Sequence, residues 1–237
     1  MTVPKDLTEK MRQILDFRYP HQEATVAPSK QTATQRKGRI KDQEAAENAP
    51  EPKPHGRNWR KPSFVESQVQ GKTYGSAVHA VMQHIRYEAC SDPEAVEQEV
   101  QRLVRERFIT AELAALVDCR QIAAFFATPL GEKLRSGGNV LREFKFSILD
   151  DGSAYIAELA GEKILLQGVV DCALVEEDGI TIVDFKTDRV TEATVSAAAE
   201  QYRSQVEAYA DALSRIFQKK IKRSCLYFVQ LGDFVDC

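Results

Sequence analysis

The sequence predicts an α/β fold, a mixed β-sheet flanked by helices and reached through an extended N-terminal arm. Three observations predict it. Residues from about 20 to 62 contain six prolines and almost no apolar periodicity. Apolar residues then recur at helical spacing as far as Ala127. Strand-like alternation follows, broken by one amphipathic helix before a last strand. The implied organisation is a lead-in arm over residues 1–62, partly disordered or wrapping, and a folded domain over 63–237.

The elements follow in order. In YGSAVHAVMQHIRYEA, Val78, Val81, Met82 and Ile85 fall at i, i+3, i+4 and i+7, the stripe of an amphipathic helix. Ser91-Asp92-Pro93 supplies a cap and a first-turn proline for a helix running to about Phe108. A third helical stretch spans Thr110 to about Ala127 and stops at Thr128-Pro129. LREFKFSIL alternates as a strand. ILLQGVVDCALVEEDGITIVDFKT reads as two strands joined by a Glu-Asp-Gly turn. A helix from about Val195 to Phe217 carries Val206, Tyr209, Ala210 and Leu213, and CLYFVQL closes the chain as a strand.

Composition narrows the class. Apolar residues make up 43% and charged residues 28% of 237, values of a globular protein able to bury its own core. No run approaches the roughly 20 apolar residues of a membrane span, and MTVPKDLTEKMRQ lacks an apolar signal core. A cytoplasmic location is the expectation. The five cysteines (Cys90, Cys119, Cys172, Cys225 and Cys237) lack metal-ligand spacing and are expected to be free thiols. The net charge of −3 does not advertise a nucleic-acid binder. Two basic runs, Lys53 to Lys61 and Lys219 to Arg223, are solvated surface or phosphate contacts.

The chemistry gathers on the hairpin. Pairing Glu176 with Gly179 brings Asp171 directly opposite Asp184, on one face of the sheet. Lys186, two residues further, shares that face because side chains alternate with period two. Val169, Ala173, Val175, Ile180 and Ile182 fill the rest of it, and Val170, Leu174, Val183 and Phe185 fill the other. Two carboxylates and an ammonium therefore stand where water is scarce, and such charges need compensation. Two readings remain open. Lys186 neutralises the aspartates as a structural ion pair, or a divalent cation does, since magnesium favours carboxylate and backbone oxygen.

The spacing Asp171-(12)-Asp184-x-Lys186 is that of the P-D-(D/E)-x-K nuclease fold. Around it lie GSAVH (Gly75 to His79), REFKF (Arg142 to Phe146), LLQGVVD (Leu165 to Asp171), IVDFKTDRV (Ile182 to Val190), YRSQVEAYADAL (Tyr202 to Leu213) and LYFVQLG (Leu226 to Gly232). In this order they resemble the RecB-type nuclease domain, in particular that at the C-terminus of the AddA subunits of bacterial AddAB helicase–nucleases. The lead-in FRYPHQEATVAPSKQTATQRK looks like that family's connection from motor to nuclease.

The resemblance implies a restriction-endonuclease-like core over residues 63–237 and roles at matched positions. His79, Asp171, Asp184 and the backbone carbonyl of Phe185 would be metal ligands, for magnesium with manganese as a substitute. Lys186 would be the catalytic lysine. Gln205 and Tyr209 match a Q-x-x-x-Y motif that supports the active site and contacts DNA. Glu143 matches an acidic position on the preceding strand, without an assigned role. Phe185 stands where the family more often has tyrosine, so the ring's packing is kept and the hydroxyl's hydrogen bond is not.

The activity implied is metal-dependent exonucleolytic hydrolysis of single-stranded DNA in double-strand-break repair and recombination. The partners implied are DNA delivered by a motor, the helicase portion of a parent chain and an AddB-like subunit. No G-x-x-x-x-G-K-[ST] motif occurs in the sequence, so a motor would lie elsewhere. The alternative is a nuclease-like fold kept as a DNA-binding or subunit-docking module without catalysis, which the acidic charge favours and the intact set of chemical residues opposes.

Overall fold

The computed structural model describes residues 11–12, 15–17, 30–33, 73–154 and 159–237. Most of the expected arm, including the basic run Lys53 to Lys61, lies outside the described residues. Within the arm Lys30–Thr32 forms a short strand, β1. The helical half comprises α1 (Thr73–His84), α2 (Pro93–Arg105), α3 (Ala111–Ala114), α4 (Cys119–Phe126) and α5 (Pro129–Arg135). The sheet half comprises β2 (Asn139–Asp151), β3 (Lys163–Glu176), β4 (Gly179–Lys186), α6 (Val195–Glu200), α7 (Arg203–Phe217), β5 (Ile221–Phe228) and β6 (Asp233–Asp236).

The chain divides into two compact units. The smaller holds residues 1–31 and 147–167. In it the far ends of β2 and β3 are tied by Gln167 donating to Ser147 at 2.6 Å and by a Lys163–Asp151 ion pair at 3.5 Å. The larger, residues 32–146 and 168–237, contains every candidate site residue.

The sheet of the larger unit runs β3-β4-β5-β6, with β2 also paired to β3. The hairpin register is the expected one, Glu176 opposite Gly179 through Cys172 opposite Val183. β5 lies parallel to β4, with Asp184 beside Leu226 and Lys186 beside Phe228. A parallel neighbour needs a crossover, and α6 and α7 provide it. Every residue of β4 except Lys186 is buried, as befits a central strand covered on both faces. Leu174, Val183, Phe185 and Tyr227 pack on one side with Val78, Ile85, Phe125 and Phe126 of the helical half. Leu226 and Phe228 pack on the other with Ala199 and Val206.

Four expectations about elements are revised. The stretch from Thr110 to Ala127 is two helices, because Asp118 caps a new start by accepting from Arg120 N. Thr128-Pro129 ends α4 as expected but also opens α5. The Thr128 hydroxyl donates to Phe125 O at 2.7 Å and accepts from Gly131 N at 3.0 Å, closing one helix and capping the next. The stretch from Val195 to Phe217 breaks at Gln201 and Tyr202 into α6 and α7. After the expected last strand comes β6, whose four residues were too few to stand out in the pattern.

The basic run after α7 is mostly committed to the fold. Lys222 bonds Glu176 and Asp178 at 3.0 and 2.8 Å, Lys219 donates to Glu177 O, and Arg223 pairs with Asp236 at 2.6 Å. The lysine contacts neutralise the acidic hairpin turn and the arginine ties β5 to β6, so these side chains do not present a free phosphate-binding stripe. All five cysteines are free thiols, and Cys90, Cys172 and Cys225 are buried. Among the described residues no helix is long and apolar enough to cross a membrane.

Candidate active site

β3 and β4 place the two aspartates at one end of the hairpin, on the rung that follows Cys172–Val183. Asp171 Oδ2 accepts from the Phe185 backbone amide at 2.8 Å, so this carboxylate ties β3 to β4 where the ladder ends. Asp184 is 1% exposed. Its Oδ2 lies 2.5 Å from Lys186 Nζ. Apart from this ion pair, that buried oxygen has no partner among the described residues. Burial first, and then the neighbouring Asp171 charge, push the Asp184 carboxyl up to about 6, against the pull of Lys186 and His79.

α1 brings His79 to the same place. Its first turn approaches the end of β4 closely: a Cβ on Gly75 would stand 2.9 Å from Thr187 Oγ1. His79 Nδ1 is 3.5 Å from Asp171 Oδ2 and 3.8 Å from Glu143 Oε1. Burial alone would lower the imidazole, but the facing carboxylates of Asp171 and Glu143, with the charge of Asp184, outweigh it and hold it at about 10. Ligand atoms of His79, Glu143 and Asp171 all lie within 4.8 Å of one another, close enough for one ion to reach all three.

Glu143, which the family resemblance marks without a role, is brought to the site by its backbone. Counting back by twos from buried Phe146 would turn Arg142 inward and Glu143 outward. The structure has Arg142 exposed and Glu143 half-buried, because Glu143 adopts φ of 47° within β2. A left-handed residue inside a strand resets the alternation and re-aims its side chain, and such conformations persist where the surroundings enforce them, often at functional sites. The signal in the sequence is the acid between Arg142 and Phe144 in REFKF and its match to the family's acidic strand position.

α7 closes the other side. Gln205 and Tyr209, one turn apart, are buried together, and Gln205 Nε2 donates to the Tyr209 hydroxyl at 2.6 Å. Lys186 Nζ donates to Gln205 Oε1 at 3.4 Å. Burial, then the charges of Asp184, Asp171 and Glu143, raise the Tyr209 hydroxyl and keep it a neutral donor and acceptor. The Phe185 ring faces away, edge-on to Phe125 at 5.0 Å, so its contribution here is the backbone.

Gly168 of β3 sets the depth of this wall. A Cβ there would come within 2.6 Å of the Phe146 ring and 3.1 Å of Tyr209 Cε1, and those rings pack edge to face at 6.0 Å. Gly168→Ala is expected to destabilise the fold by about 1–3 kcal/mol through overpacking and to displace Tyr209 from Gln205. Urea unfolding checks it, and an unchanged midpoint would contradict the packing.

The profile of the PD-(D/E)XK nuclease superfamily matches residues 54–233, most of the chain. The chain belongs to the PD-(D/E)XK nuclease superfamily. It is also similar to an ATP-dependent helicase/nuclease subunit of Bacillus cereus (strain Q1), 32% identical over 237 residues that cover 93% of this chain and 19% of that protein. The protein of the same name from Bacillus thuringiensis subsp. konkukian (strain 97-27) is 33% identical over 227 residues, covering 90% and 18%. That from Bacillus mycoides (strain KBAB4) is 31% identical over 245 residues, covering 97% and 20%. The chain thus spans about a fifth of the length of the curated relatives it matches.

The residues suit a divalent cation. His79, Glu143 and Asp171 offer one nitrogen and two carboxylates, the donor set of a hard or borderline metal. Asp184 Oδ2, buried and paired only with Lys186, is a further oxygen at the same hairpin end. Asp184 is not part of the converging triad, and the set that does converge includes Glu143 in addition to the ligands expected from the hairpin.

Proposed function

We propose that this chain is a divalent-cation-dependent DNA nuclease module whose centre comprises His79, Glu143, Asp171, Asp184 and Lys186. The observation that carries the reading is the convergence of two carboxylates and an imidazole, those of Glu143, Asp171 and His79, at the hairpin end that also holds the buried Asp184–Lys186 ion pair. Magnesium or manganese, when bound, supplies Lewis-acid stabilisation of charge on a phosphate and makes water a better nucleophile.

The chain's own residues do the rest. His79, Glu143, Asp171 and Asp184 hold the cation, with the Phe185 carbonyl as the further ligand that the family resemblance implies. The Asp171–Phe185 bond fixes the angle between the two strands that carry these groups. Lys186, steadied by Asp184 and Gln205, presents an ammonium to the charge that develops on the phosphate or to the attacking water. Tyr209 braces Gln205, and the pair forms the wall along which the strand lies.

The relatives' name, which pairs helicase with nuclease, supports a strand delivered by a motor, hence single-stranded DNA as substrate and a role in double-strand-break repair and recombination. In this reading the partners are the helicase portion of a longer chain and an AddB-like subunit. Residues 1–62 then act as the lead-in from motor to nuclease, and residues 63–237 as the nuclease domain.

The test is magnesium or manganese titrated into the chain with end-labelled single-stranded DNA, beside Asp184→Ala. Metal-dependent cleavage that disappears in the variant supports the proposal. Absence of cleavage, together with no metal-induced rise in melting temperature, overturns it and favours a docking module.

A further inference from the structure

We propose that Tyr202, at the break between α6 and α7, is a positioning residue for the Lys186 ammonium. This rests on the nuclease reading above and assigns a role to a residue outside the expected active-site set. Lys186 Nζ stands 4.0 Å from the centre of the Tyr202 ring, the distance of a cation–π contact. The ring is itself fixed, since the Tyr202 hydroxyl donates to Asp188 Oδ2 at 2.8 Å. Asp188 follows Lys186 by two residues, so the same strand end supplies both the ammonium and the anchor of the ring that holds it.

The physical need follows from the donor count. An ammonium has three N–H groups. Asp184 takes up the charge at 2.5 Å, and Gln205 accepts one hydrogen bond at a long 3.4 Å. The Lys186 side chain is only 12% exposed, so water has little room to complete the shell. The negative face of the ring occupies the remaining side. It attracts the cation without taking a proton or fixing a hydrogen bond, which leaves the ammonium free to donate to substrate. Removing the ring opens that side of the ammonium and frees the side chain to swing out of the position it holds between Asp184 and Gln205. Tyr202 belongs to the break between α6 and α7, and from there its ring reaches Lys186 at the end of β4.

Two measurements test this. Protein carrying 13Cε-labelled lysine is compared by NMR in the metal-free state as wild type, Tyr202→Phe and Tyr202→Leu, with Lys186→Arg to assign the signal. The Lys186 ε-proton signal is expected upfield of the other lysines in wild type and Tyr202→Phe, and back among them in Tyr202→Leu. A wild-type Lys186 signal at the ordinary lysine position overturns the proposal. That outcome needs no variant to fold and no cleavage, so it is distinct from failure of the nuclease reading.

In single-turnover and steady-state cleavage, Tyr202→Leu is expected to lower kcat roughly tenfold with KM for DNA changed by less than about twofold, the size of a lost cation–π contact. Tyr202→Phe is expected to stay within about threefold of wild type. A Leu variant with unchanged kcat, or a Phe variant as slow as Leu, would overturn the ring's role.

Discussion

Lys186→Ala is expected to slow cleavage by about a hundred- to a thousandfold, the loss typical of removing one charge-stabilising donor at a reacting centre. It is also expected to destabilise the metal-free fold. Lys186 is the nearest positive charge to Asp184, and taking one partner from a buried ion pair costs about 3–5 kcal/mol. The loss of stability depends on pH. The folded-state carboxyl of Asp184 is raised from 3.8 to about 6, so the folded state binds that proton more tightly than the unfolded chain does. Stability from this group is therefore greatest in acid and declines as pH rises through about 6. Without Lys186 nothing on β4 opposes that rise, and the variant should be weakened more at pH 8 than at pH 5. Urea unfolding at the two pH values checks the stability, and quenched-flow cleavage checks the rate. Equal destabilisation at both would mean that Asp184 does not depend on Lys186 for its charge.

Manganese or magnesium at about a hundred times its dissociation constant should add about 2.7 kcal/mol at alkaline pH, a rise of about 5–10 °C for a chain of this size. The rise should shrink as pH falls from about 10, and more steeply below about 6, where Asp184 takes up a proton as well. His79 is held at about 10 by its carboxylate neighbours, and it must release that proton to become a ligand. In the metal-free fold the raised imidazole contributes stability below its ordinary 6.5 that is lost as pH climbs toward 10. Asp184 runs in the same direction, so both groups favour the metal-free state in acid and the loaded state in base. Differential scanning fluorimetry from pH 5 to 9, with and without the metal, reads the difference. A metal-induced rise that is flat across this range would remove both groups from the site.

The hairpin was legible because its geometry is local. A three-residue turn signal fixed the register, and the register put Asp171, Asp184 and Lys186 on one face without reference to the rest of the molecule. The helix carrying Gln205 and Tyr209 was legible for the same reason, since a spacing of four puts them on one side. His79 was a different matter. Nothing in its own helix distinguishes it from His84, and only the family pattern connected it to residues about a hundred positions away. Glu143 depended on a single backbone torsion that no side-chain pattern reports. Tyr202 was hidden by a long helical reading of residues 195–217 that gave no reason to expect a break there. The parallel pairing of β4 with β5 likewise belongs to tertiary structure, although the helical crossover between them pointed to it.

The most direct test of the cation site is an anomalous difference map from crystals of this chain soaked in manganese. A peak is expected among His79, Glu143 and Asp171 with Asp184 beside it, and its loss is expected in Glu143→Ala. A well-ordered hairpin end with no peak at that position, in crystals that take up manganese elsewhere, would show that Lys186 and His79 alone neutralise these carboxylates and would contradict the metal centre.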